Sequence, residues 1–498
     1  MSMGGLFSGI LVALLTSAVM AGGAQALPIV SAPPLPSLPD FSGGAVKAEP
    51  IKTATGSPQN PFMADSPFSN IHNDAWMSDA YDVPGPLGRN LTTSSGAAQA
   101  GICSSILFDG QGRILTVCSS TVAAPQARLV DPDTLEVLAT YNLPNAPALP
   151  DSKPYQNFAG GGYFYLDNLG RIVVATKTDH LFILAVDPAT SQFELIRDFD
   201  LTPVLDPAAD RISSALPDYK GRIWFVGKQT GKIGVLDKKT GRIKAIELGQ
   251  SIQNSFAVGK DGIYVATDRA MYRFGLTKGG VPRTEWKKKY ANSGIVKPGQ
   301  AEAGTGTTPT IMKGGYVAIT DNADPMNVVV YRTAKKLKGK SRVVCQVPVF
   351  RKGKSATENS LIGTGRSLLV ENNYGYTDIF ADGADQVVTE PGFARVDIRK
   401  DGKGCRKVWT SYAERAPSVV SKLSTKTGLI YTYTRPPEPS GSQGYYWTAI
   451  RFKNGKTAWS KYSGPGFVFN NNYSGMALGP NKRAYLGVAG GIISLRDN

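Results

Sequence analysis

A turn followed by a short apolar strand recurs eight times along this chain of 498 residues, once every 41 to 63 residues. Gly112-Arg113-Ile114-Leu115, Gly170-Arg171-Ile172-Val173, Gly221-Arg222-Ile223-Trp224 and Gly365-Arg366-Ser367-Leu368 are the clearest copies. Gly262-Ile263-Tyr264, Gly315-Tyr316-Val317, Gly428-Leu429-Ile430 and Arg483-Ala484-Tyr485 are looser ones. A period of this size marks a four-stranded unit that cannot bury both of its faces alone. Stacking such units radially covers the faces and removes most exposed sheet edges. The predicted fold is therefore all-β, an eight-bladed β-propeller of four-stranded antiparallel blades. The last repeat supplies only three strands, Gly475 to Leu478, Ala484 to Val488 and Gly491 to Arg496. An open edge in a ring is costly, so an N-terminal strand near Tyr81 to Thr93 is expected to close it. Pro84 and Pro86 suit an outermost strand, where one side needs no partner.

Residues 1–26 read as a secretory signal. Ile10 to Met20 is largely apolar, and Ala24-Gln25-Ala26 supplies small residues ahead of a cut at Leu27. No Lys or Arg precedes the apolar run, which leaves an uncleaved anchor open as the alternative. No later stretch resembles a membrane span, so a secreted, periplasmic or cell-envelope protein is expected. Residues 27–59 are rich in Pro, Ala, Ser and Gly and read as a flexible linker. Residues 60–498 read as one propeller domain, with the closing segment at 60–98. Four cysteines fit an exported chain. Cys103 and Cys118 lie symmetrically about Asp109-Gly110-Gln111-Gly112, which predicts a cross-strand disulfide. Cys345 and Cys405 fall at similar places in the fourth strands of consecutive blades, and their pairing is left open. With two histidines and no Cys-x2-Cys, zinc is not expected.

The turns joining third and fourth strands include Leu236-Asp237-Lys238-Lys239-Thr240-Gly241 and Phe452-Lys453-Asn454-Gly455-Lys456-Thr457-Ala458-Trp459. They resemble the repeats of the pyrroloquinoline-quinone, or quinoprotein-like, propellers over roughly residues 100–498. The resemblance implies radial four-stranded blades. Quinoprotein dehydrogenases carry an adjacent Cys-Cys pair over the quinone, and this chain has none. Bound pyrroloquinoline quinone is therefore not expected, and a quinoprotein-like oxidoreductase is the disfavoured reading.

Blade order sorts the loops. Strand one begins, and strand two ends, on what is termed the upper face. Three polar clusters fall there: Thr320-Asp321-Asn322-Ala323-Asp324-Pro325, Thr357-Glu358-Asn359-Ser360 and Glu371-Asn372-Asn373-Tyr374-Gly375-Tyr376. Carboxylates with amides are hard oxygen ligands suited to Ca²⁺. Asp321, Asp324, Glu358 and Glu371 are the candidate metal ligands. Asn322, Asn359, Asn372, Asn373 and Tyr374 are candidate ligand-binding residues, together with His180 and Arg435 on equivalent loops. Two close carboxylates would also suit an acid–base pair, whereas Asp and Asn in loops also simply make turns. Asn470-Asn471-Asn472-Tyr473, with Tyr445, Tyr446 and Trp447 nearby, suits a sugar or a phenolic ring. His72, in Ile71-His72-Asn73-Asp74-Ala75-Trp76, is expected to lock the N-terminal segment onto the ring.

No Gly-x-Ser-x-Gly, P-loop or dinucleotide fingerprint stands in a convincing context. The expected function is binding of a small molecule, glycan or partner at a polar upper channel mouth. A metal- or carboxylate-assisted hydrolase or lyase at the same place is the alternative. The net charge is +16, and basic residues such as Arg113, Arg171, Arg222, Lys238, Lys239, Lys335, Lys336, Lys338, Lys340 and Lys453 collect in the lower turns. Such a floor would be drawn to anionic envelope polymers or lipid headgroups, or serve solubility alone. Export argues against nucleic acid.

Overall fold

The repeat closes a ring. The structure, a computed structural model, describes residues 38–52, 56–97, 101–119, 123–147, 149, 161–377, 389–436 and 444–498. The expected signal and the first part of the expected linker lie outside these residues. Blades 1 to 8 occupy 102–142, 165–200, 212–247, 257–289, 310–348, 362–411, 422–465 and 477–496, and in each the chain runs from the innermost strand outward. The described residues hold one short 3-10 turn, Phe467–Phe469, and no helix long and apolar enough to cross a membrane. Each blade buries both faces against its neighbours. Ile223, Phe225 and Ile233 of blade 3 and Val258, Tyr264 and Val265 of blade 4 are fully enclosed. Full burial of one such apolar side chain stabilises by roughly 1.5–3 kcal/mol.

The repeated turn has a mechanism. In Asp109-x-x-Gly112-Arg113, Asp109 Oδ1 accepts from the N–H groups of Gln111 and Arg113 at 2.9 Å each, and Oδ2 accepts from Arg113 Nε at 2.8 Å. Asp167 with Arg171 and Asp218 with Arg222 repeat the arrangement. Gly112, Gly170 and Gly221 hold φ of 79°, 72° and 81°, where a Cβ would be strained. The three arginines are thus neutralised by their own turns, and the lower face is less cationic than its arginine content suggests.

Blade 8 is closed by an N-terminal strand, as expected. Thr92–Ala97 pairs antiparallel with Gly491–Arg496, from Thr92 against Arg496 to Ala97 against Gly491. The strand lies later than the expected Tyr81 to Thr93. Pro84 and Pro86 stand in the chain leading to it, because proline cannot donate to a ladder and 92–97 contains none. Tyr81 instead joins Ala80 in a parallel pair with Lys422–Ser424, the inner strand of blade 7. Residues 38–52 depart from the linker reading. Phe41–Gly43 pairs on the outer edge of blade 7, and the N–H groups of Val46, Glu49 and Ile51 reach Leu87 O, Thr427 O and Thr425 O. Backbone pairing to an available sheet edge orders a segment that its composition alone would leave loose.

Both cysteine pairs are disulfides. Cys103–Cys118 spans the first hairpin of blade 1, with Cα atoms 3.9 Å apart. Cys345–Cys405, left open by the sequence, ties the fourth strands of blades 5 and 6, with Cα atoms 5.8 Å apart.

Residues 63–81 run through the ring and pair with its innermost strands. Leu166 N donates to Ser69 O, Val258 N to Ala75 O, Ile311 N to Trp76 O, Gly363 N to Ser78 O, Leu423 N to Asp79 O and Thr425 N to Tyr81 O, at 2.7 to 3.1 Å. Blades 2, 4, 5, 6 and 7 are bound in this way, and the Asn60 amide reaches Pro217 O of blade 3 at 2.9 Å. Inner strands leave N–H groups facing the channel, and a buried N–H without a partner costs about 1–3 kcal/mol. The channel segment supplies the acceptors.

Candidate functional site

Above the channel segment is a cavity of about 140 Å³. Every blade contributes to its wall through residues at or just before its first strand. Ser104, Tyr163, Ser213, Asn254, Thr308, Ser360, Val420 and Tyr473 come from blades 1 to 8 in order. Lys228, Ala301, Glu358 and Asn359 complete the upper wall, while Ile71 and His72 of the channel segment form the floor. The loop over Glu358 approaches closely: Gly306 has φ of 66°, and a Cβ there would fall 1.9 Å from Thr357 O and 3.0 Å from Glu358 Oε2. Asn472 and Tyr473 hold left-handed backbone, with φ of 36° and 63°. Such conformations persist only where surrounding contacts over-determine them.

The floor is a charged network. His72 Nδ1 lies 3.0 and 3.1 Å from the two Asp79 oxygens and 2.9 Å from Ser360 Oγ. Ser360 Oγ donates to Asp79 Oδ2, and Lys422 Nζ donates to Asp79 Oδ1 and Ile71 O. Asp79 and Lys422 are both fully enclosed. Burial alone would raise the Asp79 carboxyl, but His72 and Lys422 outweigh it and hold the group below the usual carboxylate range. Through this network His72 meets Asp79 of its own segment and Ser360 of blade 6.

Two buried polar atoms of the wall, His72 Nε2 and Asn359 Oδ1, have no hydrogen-bond partner, while the Asn254 amide and the Glu358 carboxyl lie against each other without a well-formed bond at Asn254 Nδ2 or Glu358 Oε1. Asn359 Nδ2 is fully used, donating to Glu371 Oε1 and to Ser418 O and Val419 O at 3.2 and 2.8 Å. Asn254 Oδ1 accepts from Tyr163 Oη at 2.9 Å. Glu358 Oε2 accepts from Ala301 N at 3.3 Å. Burial, then the charge of Glu302, pushes the Glu358 carboxyl up to about 8. Burial likewise pushes the Lys228 ammonium down, against the pull of Glu302 and Glu358. At neutral pH Glu358 is therefore mostly a neutral acid that can donate.

The expected site residues divide. Glu358 and Asn359 line the cavity, and Asn373 stands behind them, its Oδ1 accepting from Thr357 Oγ1 at 2.9 Å and Glu358 N at 3.1 Å. Glu371 is enclosed one layer back, its carboxyl raised to about 8 by burial. Asp321 is not on a rim. It is buried, accepting from Asn327 N and Nδ2 at 2.8 Å each and from Gln346 Nε2 at 2.9 Å. Asp324 accepts from Gly353 N at 2.6 Å. Asn322 donates to Asn292 Oδ1 and Ile295 O, and Asn372 donates to Lys354 O and accepts from Ala356 N. These loops fold back, and their acids and amides satisfy their own backbone donors. Tyr374 is half-buried in the same loop, outside the cavity. His180 faces the fourth strand of blade 2, with Nδ1 2.6 Å from Asp198 Oδ1. Arg435 lies 5.9 Å over the Tyr445 ring. Among the described residues no group of three or more His, Cys, Asp or Glu side chains comes together as a metal ligand set. The four carboxylates expected to hold Ca²⁺ thus do not converge.

Sequence reasoning missed Tyr163, Lys228 and Asn254, and it missed the Asp79–Lys422 pair. Lys422 carried a signal, since it interrupts the apolar run Val419-Val420-Ser421-Lys422-Leu423. A lysine there is either exposed or paired, and a propeller's inner strand is not exposed.

No family model matches the chain. An uncharacterized protein of Archaeoglobus fulgidus is 27% identical over 369 residues, 67% of this chain and 70% of that protein. Among solved structures, a streptogramin B lyase covers 86% of this chain and 100% of its own, with TM-score 0.40 and 12% identity. The quinohemoprotein alcohol dehydrogenase of Comamonas testosteroni covers 88% of this chain and 81% of its own, with TM-score 0.53 and 10% identity. At such identity the likeness to the dehydrogenase extends to the propeller fold and no further.

Proposed function

We propose that this chain is an exported propeller that binds a small polar molecule in the cavity at its upper channel mouth. One observation carries the reading: buried polar groups from blades 4 and 6 and from the channel segment converge on a cavity, where His72 Nε2 and Asn359 Oδ1 are left without partners. Buried polar groups are nearly always satisfied, so such a set marks a place for a ligand or water. The wall mixes these groups with Ile71, Tyr163, Val420 and Tyr473, which suits a ligand with an apolar body and a polar edge, such as a sugar or a phenol. The two disulfides fit an oxidising compartment. Binding tests the reading directly. A panel of sugars, polyols and phenols is screened by thermal shift, and hits are measured by calorimetry. A true ligand at 100 times its Kd stabilises by about 2.7 kcal/mol. Ser213→Leu, which fills the cavity, should remove the shift. A ligand that binds the filled variant equally well refutes the site.

A second reading concerns the lower face. No Asp or Glu stands between Asp324 and Glu358, and Lys336, Lys338 and Lys340 are exposed in the lower turn of blade 5. Arg399, Lys400 and Lys403 are exposed in the lower turn of blade 6, and Arg332 joins the two turns by donating to Gly402 O at 2.9 Å. This patch fits an anionic envelope surface. Sedimentation with phosphatidylglycerol vesicles should fall on raising salt and on changing the three blade 5 lysines to Glu. Equal binding to pure phosphatidylcholine vesicles refutes it.

A further inference from the structure

We propose that the cavity performs general acid–base catalysis, with His72 Nε2 as the proton acceptor, Glu358 as the proton donor and Asp79 as the residue that positions His72. The proposal rests on the small-molecule reading above and adds chemistry to it. Its substrate class is a small polar molecule that presents an O–H, or a C–H next to a carbonyl, to His72, and an oxygen to Glu358.

The assignment follows from the hydrogen bonds. Asp79 accepts from Lys422 and Ser360, and an ionised carboxylate can only accept. The ring nitrogen beside it, His72 Nδ1, must therefore carry the hydrogen. In the neutral ring this leaves the lone pair on Nε2. Nε2 is the enclosed, unpartnered atom, and His72 lines the cavity while 3% exposed. Ser360 is not a nucleophile in a Ser–His–Asp relay. A relay needs Ser and Asp on opposite ring nitrogens, whereas Ser360 and Asp79 share Nδ1 and the Ser360 hydrogen goes to Asp79. The remaining lone pair of the dyad thus serves a group inside the cavity. The charged and titratable groups around it are Asp79, Lys422, Asp74 and Glu371 from below and Tyr163, Lys228, Glu302 and Glu358 from the sides. Burial keeps Glu358 protonated at neutral pH, the state a proton donor needs.

With only two histidines in the chain, the proposal can be tested on the protein itself. Nitrogen-15 NMR of histidine-labelled protein, with His180→Gln to assign the signals, should show the neutral His72 ring with its hydrogen on Nδ1 and the lone pair on Nε2. Asp79→Asn should abolish that preference, and because the wild-type spectrum stands alone, poor folding of the variant does not matter. The chemical probe is 4-nitrophenyl acetate in the His180→Gln background. His72 Nε2 takes a proton from water as the water oxygen bonds the ester carbonyl carbon. Glu358 donates a hydrogen bond to the carbonyl oxygen as negative charge builds there. The bond from the carbonyl carbon to the nitrophenyl oxygen then breaks, its electron pair leaves with nitrophenolate, and His72 returns its proton to solvent. His72→Gln should slow this about 100-fold. The rate should fall as pH rises through about 8, and Glu358→Gln should lose that limb. A neutral ring with its hydrogen on Nε2 in the spectrum, or unchanged hydrolysis by His72→Gln, overturns the proposal. If a panel ligand still binds while hydrolysis is indifferent to His72, the cavity remains a binding site without catalysis. If neither binding nor hydrolysis occurs, both readings fall.

Discussion

Glu371 is buried between Asn359 and Ser421. Burial pushes its carboxyl from the ordinary 4.5 up to about 8. Below the usual carboxyl range the folded and unfolded chains are both protonated at this position. Between that range and about pH 8 the folded form holds a proton that the unfolded chain has lost. The folded state is therefore favoured in acid, and the contribution is lost as pH rises through about 8. Glu358, also raised to about 8, and Asp74, raised to about 6, act in the same direction. One unit of pKa corresponds to about 1.4 kcal/mol, so the enclosed Glu371 contributes on the order of a few kcal/mol. Stability from urea unfolding should fall between pH 5.5 and 8.5. Glu371→Gln keeps a neutral side chain that can donate to Ser421 Oγ, and it should shrink that fall and match or exceed the wild type at pH 8.5. An identical fall in the variant would show that Glu371 is ionised in the folded protein. Protonation of Glu371 and Glu358 would by itself relieve repulsion among these acids.

At the scale of strands and loops, the legible parts are those where local sequence and pairing agree. Strands in blades 1 to 3 alternate and are bounded by Asp-x-x-Gly-Arg turns, so their register could be read from the chain, down to the facing Cys103 and Cys118. Of the residues expected to meet in the polar upper loops, Glu358 and Asn359 line the cavity, while Asp321 and Asp324 accept from backbone N–H groups of their own loops and neighbours. A carboxylate that accepts N–H groups and one that waits for a ligand have the same composition. Asp321 and Glu358 differ only in where the neighbouring donors lie, which is a tertiary fact. The channel segment was not legible at all. It is bound chiefly through its carbonyl oxygens, to N–H groups of blades far away in sequence, so it needs no apolar period. Its left-handed residues Asn73, Met77 and Asp79, with φ of 79°, 58° and 52°, let it step between inner strands that are not collinear with it. The floor of the cavity comes from this segment. His72 was therefore read as a lock on the ring, and its second nitrogen went unconsidered.

For the whole molecule, the ring is closed by one strand and two clasps. Thr92–Ala97 covers the edge of Gly491–Arg496. Asp497 then accepts from the N–H groups of Leu87, Gly88 and Arg89 at 2.7, 3.0 and 2.8 Å, and the Asn498 amide donates to Asn90 O at 2.8 Å. The channel segment adds bonds to five blades from inside, and Asn60 just ahead of it reaches a sixth, so this stretch acts as a hub as well as a floor. These contacts rank the effects of shortening the chain. A chain beginning at residue 38 keeps all of them and should melt with the full chain. One beginning at residue 56 loses the outer-edge pairing of Phe41–Gly43 and the bonds of Val46, Glu49 and Ile51 to Leu87, Thr427 and Thr425, and should melt a few degrees lower. One beginning at residue 98 loses the hub and the closing strand together. It bares the edge of Gly491–Arg496 and leaves the inner N–H groups of blades 2, 4, 5, 6 and 7 without acceptors, each costing about 1–3 kcal/mol. The six bonds together come to about 6–18 kcal/mol, comparable with the roughly 5–15 kcal/mol by which a domain is ordinarily stable. The shortest chain should therefore aggregate through the bared edge and show no cooperative transition. Melting curves and gel filtration of the three chains decide the matter. If the chain from residue 98 stayed monomeric and melted with the longer ones, the ring would be closed by its eight sheets alone, and the channel segment would be a ligand-like insert with no part in the fold.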